Sequence, residues 1–234
     1  MEESYHAGIR YLERQGIVLT HVFDTAALPG AVAEAVVRCE PETGRFSRLV
    51  LMAHGGGRFW QALRASRTGG PDPVDTFSTA IAETLLRRYL GDPPARLLYP
   101  SALPLPLQQL GSLAGWSHPS PLGLGIHARF GTWFAYRAAI LVAAALPVSV
   151  TRRQPSPCER CAEKPCIEAC PGRALVAGGA FRLAACTRQR LAPASPCAAS
   201  CAARLACPVG AEHRYSPEQI AYHARRSLAS LEQA

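Results

Sequence analysis

Leu122-Gly123-Leu124-Gly125-Ile126-His127-Ala128-Arg129-Phe130-Gly131-Thr132-Trp133-Phe134-Ala135-Tyr136-Arg137 is the stretch on which the fold turns. Two apolar segments flank the short turn Ala128-Arg129-Phe130, so the pattern predicts strands over 122–127 and 131–137. Alternation puts Trp133, Ala135 and Arg137 on one face and Phe134 and Tyr136 on the other. The alanine-rich continuation to Leu146 fits either more strand or a buried helix. Taken alone, His127 reads as a structural histidine and Arg137 as the partner of a carboxylate.

Upstream lies Trp116-Ser117-His118-Pro119-Ser120-Pro121, a stiff loop of aromatic and polar groups. It suits the wall of a binding site and equally an ordinary connector. Before it the pattern predicts a short helix over 107–113, an irregular proline-rich run over 100–106 and a strand over 95–99. Asp72 caps a helix that starts with Pro73 and stops at Gly91. A strand over 48–54 runs into Gly55-Gly56-Gly57 and a helix over 58–66. That triplet is neither G-x-G-x-x-G nor a P-loop, so a plain strand-to-helix turn is preferred to a phosphate site. A helix over 4–15 and a strand over 17–23 open the chain, and Cys39 reads as a small buried hydrophobe.

Downstream, residues 147–157 form a linker into a cysteine-rich segment. Eight of the nine cysteines lie there, and both runs end in Cys-Pro. This varies the two-cluster ferredoxin run, in which a Cys-x-x-Cys turn aims two thiolates at one cluster and the Cys before Pro ligates the other. The expected pairing is Cys158, Cys161, Cys166 and Cys207 on a first 4Fe–4S cluster. Cys170, Cys186, Cys197 and Cys201 hold a second. Four residues separate Cys161 from Cys166 and five separate Cys201 from Cys207, so two loops are longer than usual. The same eight thiols also admit two zinc sites. A disulfide framework is disfavoured because no export signal precedes it. After Cys207-Pro208, Ser216 and Gln219 form a capping box with Pro217 at the first helical position.

The 234 residues suffice for one large domain and a small appendage. Net charge is +8, carried by arginine with Lys164 as the single lysine. A modest positive balance suits anionic ligands, but no lysine run or basic tail supports nucleic-acid binding. The longest apolar run is too short for a bilayer and the N-terminus has no signal-peptide core. A cytoplasmic protein with reduced thiols is expected.

Two resemblances follow from these residues. The stretch from Gly123 to Arg137, Asp72-Pro73-Val74-Asp75, and Arg214-Tyr215-Ser216-Pro217-Glu218-Gln219-Ile220-Ala221-Tyr222 resemble three signatures of the cobalamin-processing proteins of the methylmalonic aciduria and homocystinuria type C family. The cysteine segment resembles instead that of epoxyqueuosine reductases and, more distantly, reductive dehalogenases. The first resemblance implies an α+β fold, a nitroreductase-like antiparallel sheet flanked by helices, to which the second adds a small ferredoxin-like two-cluster module. The expected partition is residues 1–150 as the cobalamin-binding domain, 151–212 as the module, and 213–234 as a helix returning to the first domain.

By the same resemblance, cobalamin would be held base-off by Leu107, Gln108, Trp116, Ser117, His118, Gly125, His127, Trp133, Tyr136 and Arg137. Arg137 also matches one of the arginines by which some members hold glutathione. The implied reaction is reductive removal of the upper axial ligand of cobalt, by decyanation or dealkylation, with electrons from the clusters. An electron donor such as a ferredoxin or flavodoxin is the expected partner; homodimerisation is left open and no catalytic residue is assigned. Two alternatives stand beside it: a cobalamin-dependent reductase of an organic substrate such as epoxyqueuosine, and a non-enzymatic cobalamin carrier.

Overall fold

The computed structural model describes residues 2–232. Contacts divide the chain into two compact units, one of residues up to Gly115 with Phe134–Arg152, the other of Trp116–Trp133 with everything from Arg153 on. The sequence partition differs twice. Residues 116–133, expected in the first domain, and 213–234, expected apart from the cysteine segment, both cluster by contacts with that segment.

The first unit is a four-stranded sheet with helices. In chain order it holds α1 (Glu2–Arg14), β1 (Ile17–Asp24), α2 (Gly30–Cys39), β2 (Arg48–Gly55), α3 (Arg58–Ser66), α4 (Pro73–Tyr89), β3 (Ala95–Tyr99), α5 (Leu107–Leu113) and β4 (Phe134–Val142). The strand order is β1-β2-β4-β3, antiparallel throughout. Leu49 to Gly55 of β2 are all buried, which explains a strand apolar at consecutive positions rather than at every second one. Helix α4 starts at Pro73 behind Asp72, whose carbonyl accepts from the Thr76 N–H at 2.9 Å. It packs on α1, where Tyr11 stacks on Tyr89 at 5.2 Å. Cys39 is buried at the end of α2, as a small hydrophobe would be.

The expected hairpin is replaced by two tandem turns and a longer strand. Pro119 and Pro121 lack N–H groups, so a ladder cannot run through them. Instead Gly123 N–H donates to the Ser120 carbonyl at 3.1 Å and the Ser120 hydroxyl to the Leu124 carbonyl at 2.6 Å. Pairing is confined to two bridges, His118 with Ile126 and His127 with Gly131. Strand β4 starts at Phe134 and takes in the alanine-rich stretch, Ala138 to Val142 being wholly buried.

The second unit is built of short helices: α6 (Pro157–Arg160), α7 (Pro165–Glu168), α8 (Leu183–Leu191), α9 (Ala202–Ala206) and α10 (Pro217–Glu232). Leu122 from the loop joins Cys166, Ala174, Leu175 and Ala203 in one core, with Phe181 and Ala185 packed on it. Helix α10 packs on α8. Its cap is half of the expected box. The Ser216 hydroxyl accepts from the Gln219 N–H at 3.2 Å. The Gln219 side chain, fully buried, makes no return bond, and neither end of its amide has a partner among the described residues.

Candidate functional site

The first cysteine set is assembled by turns. Cys158 lies in α6, Cys161 follows that helix in extended conformation, Cys166 lies in α7, and Cys207 ends α9. Lys164, with φ of +43°, turns its ammonium back to donate to the Cys161 carbonyl at 2.9 Å and the Cys158 carbonyl at 3.4 Å. The longer loop thus brings its own strut. Burial raises the thiol pKa values of Cys158, Cys166 and Cys207, and neighbouring thiolates push the same way. For Cys158 those neighbours are Cys207, Cys166 and Cys161; for Cys166, Cys207 and Cys161; for Cys207, Cys161.

The second set lines one cavity of about 450 Å³, into which Cys170, Cys186, Cys197 and Cys201 all open. Leu122, Phe181, Ile220 and Leu231 give its apolar wall, the last two from α10. The Ala174 N–H donates to Cys170 Sγ at 3.4 Å. Burial raises the Cys186 and Cys197 thiols, and the thiolates acting on them are Cys201, Cys170 and, for Cys186, Cys197. Among the described residues, no three His, Cys, Asp or Glu side chains form a group that could hold a metal ion.

The residues of the opening stretch hold Cys207's loop in place. A Cβ on Gly131 (φ +57°) would overlap the Val209 carbonyl, and one on Gly210 (φ +66°) would overlap the Phe130 backbone. Only glycine at both positions lets these backbones meet. Phe130 packs on His213 at 4.8 Å and Trp133 on Tyr215 at 5.3 Å. Arg204, in the longer loop between Cys201 and Cys207, lies 4.3 Å over the Trp133 ring. Its Nη2 donates to the Thr132 carbonyl at 2.5 Å. Burial lowers the Arg204 pKa, opposed by Tyr215 and Cys201.

The ten residues expected to touch cobalamin fall into both units. In the first, Leu107 and Gln108 start α5, and Tyr136 of β4 lies so close over Gly111 of that helix that a Cβ there would overlap the phenol. These three therefore share one neighbourhood. Arg137 is the extra residue of a β-bulge, since Met52 pairs with Ala138 and Ala53 with Tyr136. A bulge re-aims the side chain it carries, so the simple alternation of faces fails here. Arg137 is buried, its guanidinium 5.3 Å from the Phe59 ring centre, and its Nε has no hydrogen-bond partner among the described residues.

In the second unit, Trp116 and Ser117 are buried, Gly125 is half-buried, and the His118 Nε2 is buried without a partner among the described residues. His127 has a structural task. Its Nδ1 accepts from the Arg129 N–H at 3.0 Å and the Phe130 N–H at 3.2 Å, so it caps the second turn. Burial first, then the charges of His118, Arg129 and His213, lower its pKa to about 4. Trp133, at 1% exposure, is enclosed by Arg204 and Tyr215.

Sequence reasoning did not single out Lys164 as a strut, nor Arg204, Gly111, Gly131 or Gly210. Lys164 carried one visible signal, being the single lysine and lying inside an unusual spacing. Arg204 sits in the other unusual spacing.

No protein-family model and no curated protein matches the chain. Solved structures do. Epoxyqueuosine reductase from Streptococcus thermophilus is 11% identical, with TM-score 0.54, over 88% of this chain and 65% of that one. The Bacillus subtilis enzyme is 13% identical, with TM-score 0.58, over 92% and 67%. The B12-trafficking protein CblC of C. elegans, a homologue of human MMACHC, is 15% identical, with TM-score 0.54, over 99% and 96%. The chain thus spans roughly two thirds of the reductases' length. At such identities the likeness is one of fold: a mixed α/β, nitroreductase-like architecture with an antiparallel sheet flanked by helices.

Proposed function

We propose that this chain is an iron–sulfur cobalamin-processing protein that reductively removes the upper axial ligand of a base-off cobalamin. The observation that supports the reading is one cavity of about 450 Å³ lined by Cys170, Cys186, Cys197 and Cys201, beside four more cysteines carried on α6 and α7, just after α6 and at the end of α9. A single zinc ion draws four thiolates to about 2.3 Å from one point, whereas a cubane spreads them over four irons. A cavity onto which all four thiols of the second set open fits the cubane.

When bound, the clusters supply single electrons at low potential and the corrin supplies a cobalt whose upper ligand leaves on reduction. The chain's own part is to hold and to shield. Lys164 fixes the loop that presents Cys158 and Cys161. Ile220 and Leu231 of α10 keep water from one side of the second set. In the first unit, Tyr136, whose phenol end abuts Gly111 of α5, supplies an aromatic ring, and the exposed Gln108 of the same helix supplies an amide to meet a propionamide rim. Arg137, buried with an unused Nε, adds a positive charge toward an anionic group.

Anaerobic purification tests the reading. About eight iron and eight sulfide per chain are expected, together with a visible spectrum of base-off corrin when cobalamin is added and loss of cyanide or alkyl under reduction. Iron-free protein, or no corrinoid binding, would refute it. A second reading, reduction of an organic substrate such as epoxyqueuosine with cobalamin as cofactor, is supported by the fold shared with epoxyqueuosine reductases over most of this chain. Turnover of an epoxyqueuosine-modified tRNA stem-loop by loaded protein would favour it.

A further inference from the structure

We propose that the outer face of α8 is the docking surface for a small acidic one-electron carrier, through which electrons enter at the second cysteine set. The proposal rests on the reading that this set holds a cluster.

Helix α8 has two faces. On one, Cys186 opens into the cavity, and Arg190, four residues on, donates to the Ser227 hydroxyl at 2.8 Å and the Ala224 carbonyl at 3.0 Å, pinning the helix to α10. The other shares Leu183 and Thr187 with that cavity: with Leu191 they recur at four-residue spacing and form a shallow groove with Ala184, Arg188 and Ala192. Leu183 is 62% exposed and Leu191 44%. Two exposed leucines on one short helix, one turn from a thiol, form an apolar patch of the kind that marks a contact surface.

The charge around the patch identifies the partner. From Ala169 to Ala211 the sequence has no Asp or Glu, while it has Arg173, Arg182, Arg188, Arg190 and Arg204. Arg190 and Arg204 are turned to internal tasks. Arg173, Arg182 and Arg188 are exposed. An apolar centre rimmed by one sign of charge is the form of an interface that steers a partner of the opposite sign. Leucines at its centre, with no exposed aromatic ring among the arginines, favour a protein over a single-stranded nucleic acid, which binds by stacking. Cys201, exposed itself, opens on the same cavity as Cys186, so the second set is the one with a solvent-facing thiolate. The step is outer-sphere: the carrier loses one electron, the chain's second cluster gains one, and no bond or proton moves.

Reduced flavodoxin, an acidic one-electron carrier, serves as the probe, used with the full chain after anaerobic cluster loading. Stopped-flow reduction and anisotropy of labelled flavodoxin are followed from low to high salt. For the wild type, the second-order rate should fall steeply with ionic strength. In R173E/R188E, and separately in L191D, both rate and binding should fall by ~10-fold or more at low salt. Iron content, melting temperature and reduction by dithionite should stay unchanged. Equal rates and equal binding in wild type and variants would overturn the proposal. So would tight binding of an RNA stem-loop, lost in the same variants, with none of flavodoxin. If the chain holds no iron, the cluster reading fails by the metal count, while the anisotropy arm still decides whether the surface takes the carrier.

Discussion

The Arg204 guanidinium lies 4.3 Å over the Trp133 ring and donates to the carbonyl of the residue before it, Thr132. Arg204 comes from the long loop between the last two cysteines, Trp133 from the stretch that governs the fold. One cation thus ties the two signatures together within the second unit.

Replacing Arg204 by methionine keeps most of the stem and removes both the charge and the bonds to Thr132. A charged hydrogen bond and a desolvated cation–π contact are together worth about 2–4 kcal/mol. The R204M chain should lose about that much in urea unfolding. The Cys207 thiol, three positions after Arg204, should react faster with a thiol reagent in metal-free protein. A loss below ~0.5 kcal/mol would show the contact to be incidental.

Gly111 sits directly under Tyr136. In G111A the added methyl must push the phenol away, because it would overlap the Tyr136 hydroxyl and the ring edge that bears it. Cobalamin binding should weaken by ~10-fold or more, with iron content unchanged, since the cysteine sets lie in the other unit. Unchanged corrin affinity in a titration followed by visible absorption would remove Tyr136 from the site.

Burial holds His127 near pKa 4, against 6.5 for the free side chain, and His21 likewise. The unfolded chain therefore binds protons that the folded one refuses between those values. Stability should be full above about pH 6.5 and decline as pH falls toward 4. His127→Asn keeps an acceptor for the two turn N–H groups and cannot charge. Its urea midpoint should vary less with pH across that window than the wild type's; an equal slope would show that His127 does not titrate as described.

C166S and C186S each remove a thiol from a different set. Each should lose about half of the bound iron while keeping corrin affinity, and C39S, buried at the end of α2, should lose none. Loss of all iron from either single variant would mean that the two sets do not bind independently.

Much of the secondary structure was legible. β1, β2, α3, β3 and α5 fall within a residue of their expected bounds, because a glycine or proline stands directly beside one end of each. The bulge at Arg137 was not legible, since it is a property of the pairing with β2 and not of β4 alone. The failed hairpin was half legible: two prolines argued against a ladder, but alternating leucine and glycine imitated a strand. Nor could the strings of residues show that the longer cysteine spacings each deliver a basic side chain, Lys164 to two carbonyls and Arg204 to Thr132.

The mutual fit of Gly131 against Val209 and Gly210 against Phe130 bears on how such a protein can be cut and recombined. The cysteine-bearing half is no detachable cassette. A fragment begun at Arg153 would carry every candidate ligand and still lack the eighteen-residue collar, Trp116–Trp133, on which its last loop closes. Anyone grafting this centre onto another scaffold must transplant two discontinuous pieces of chain, not one.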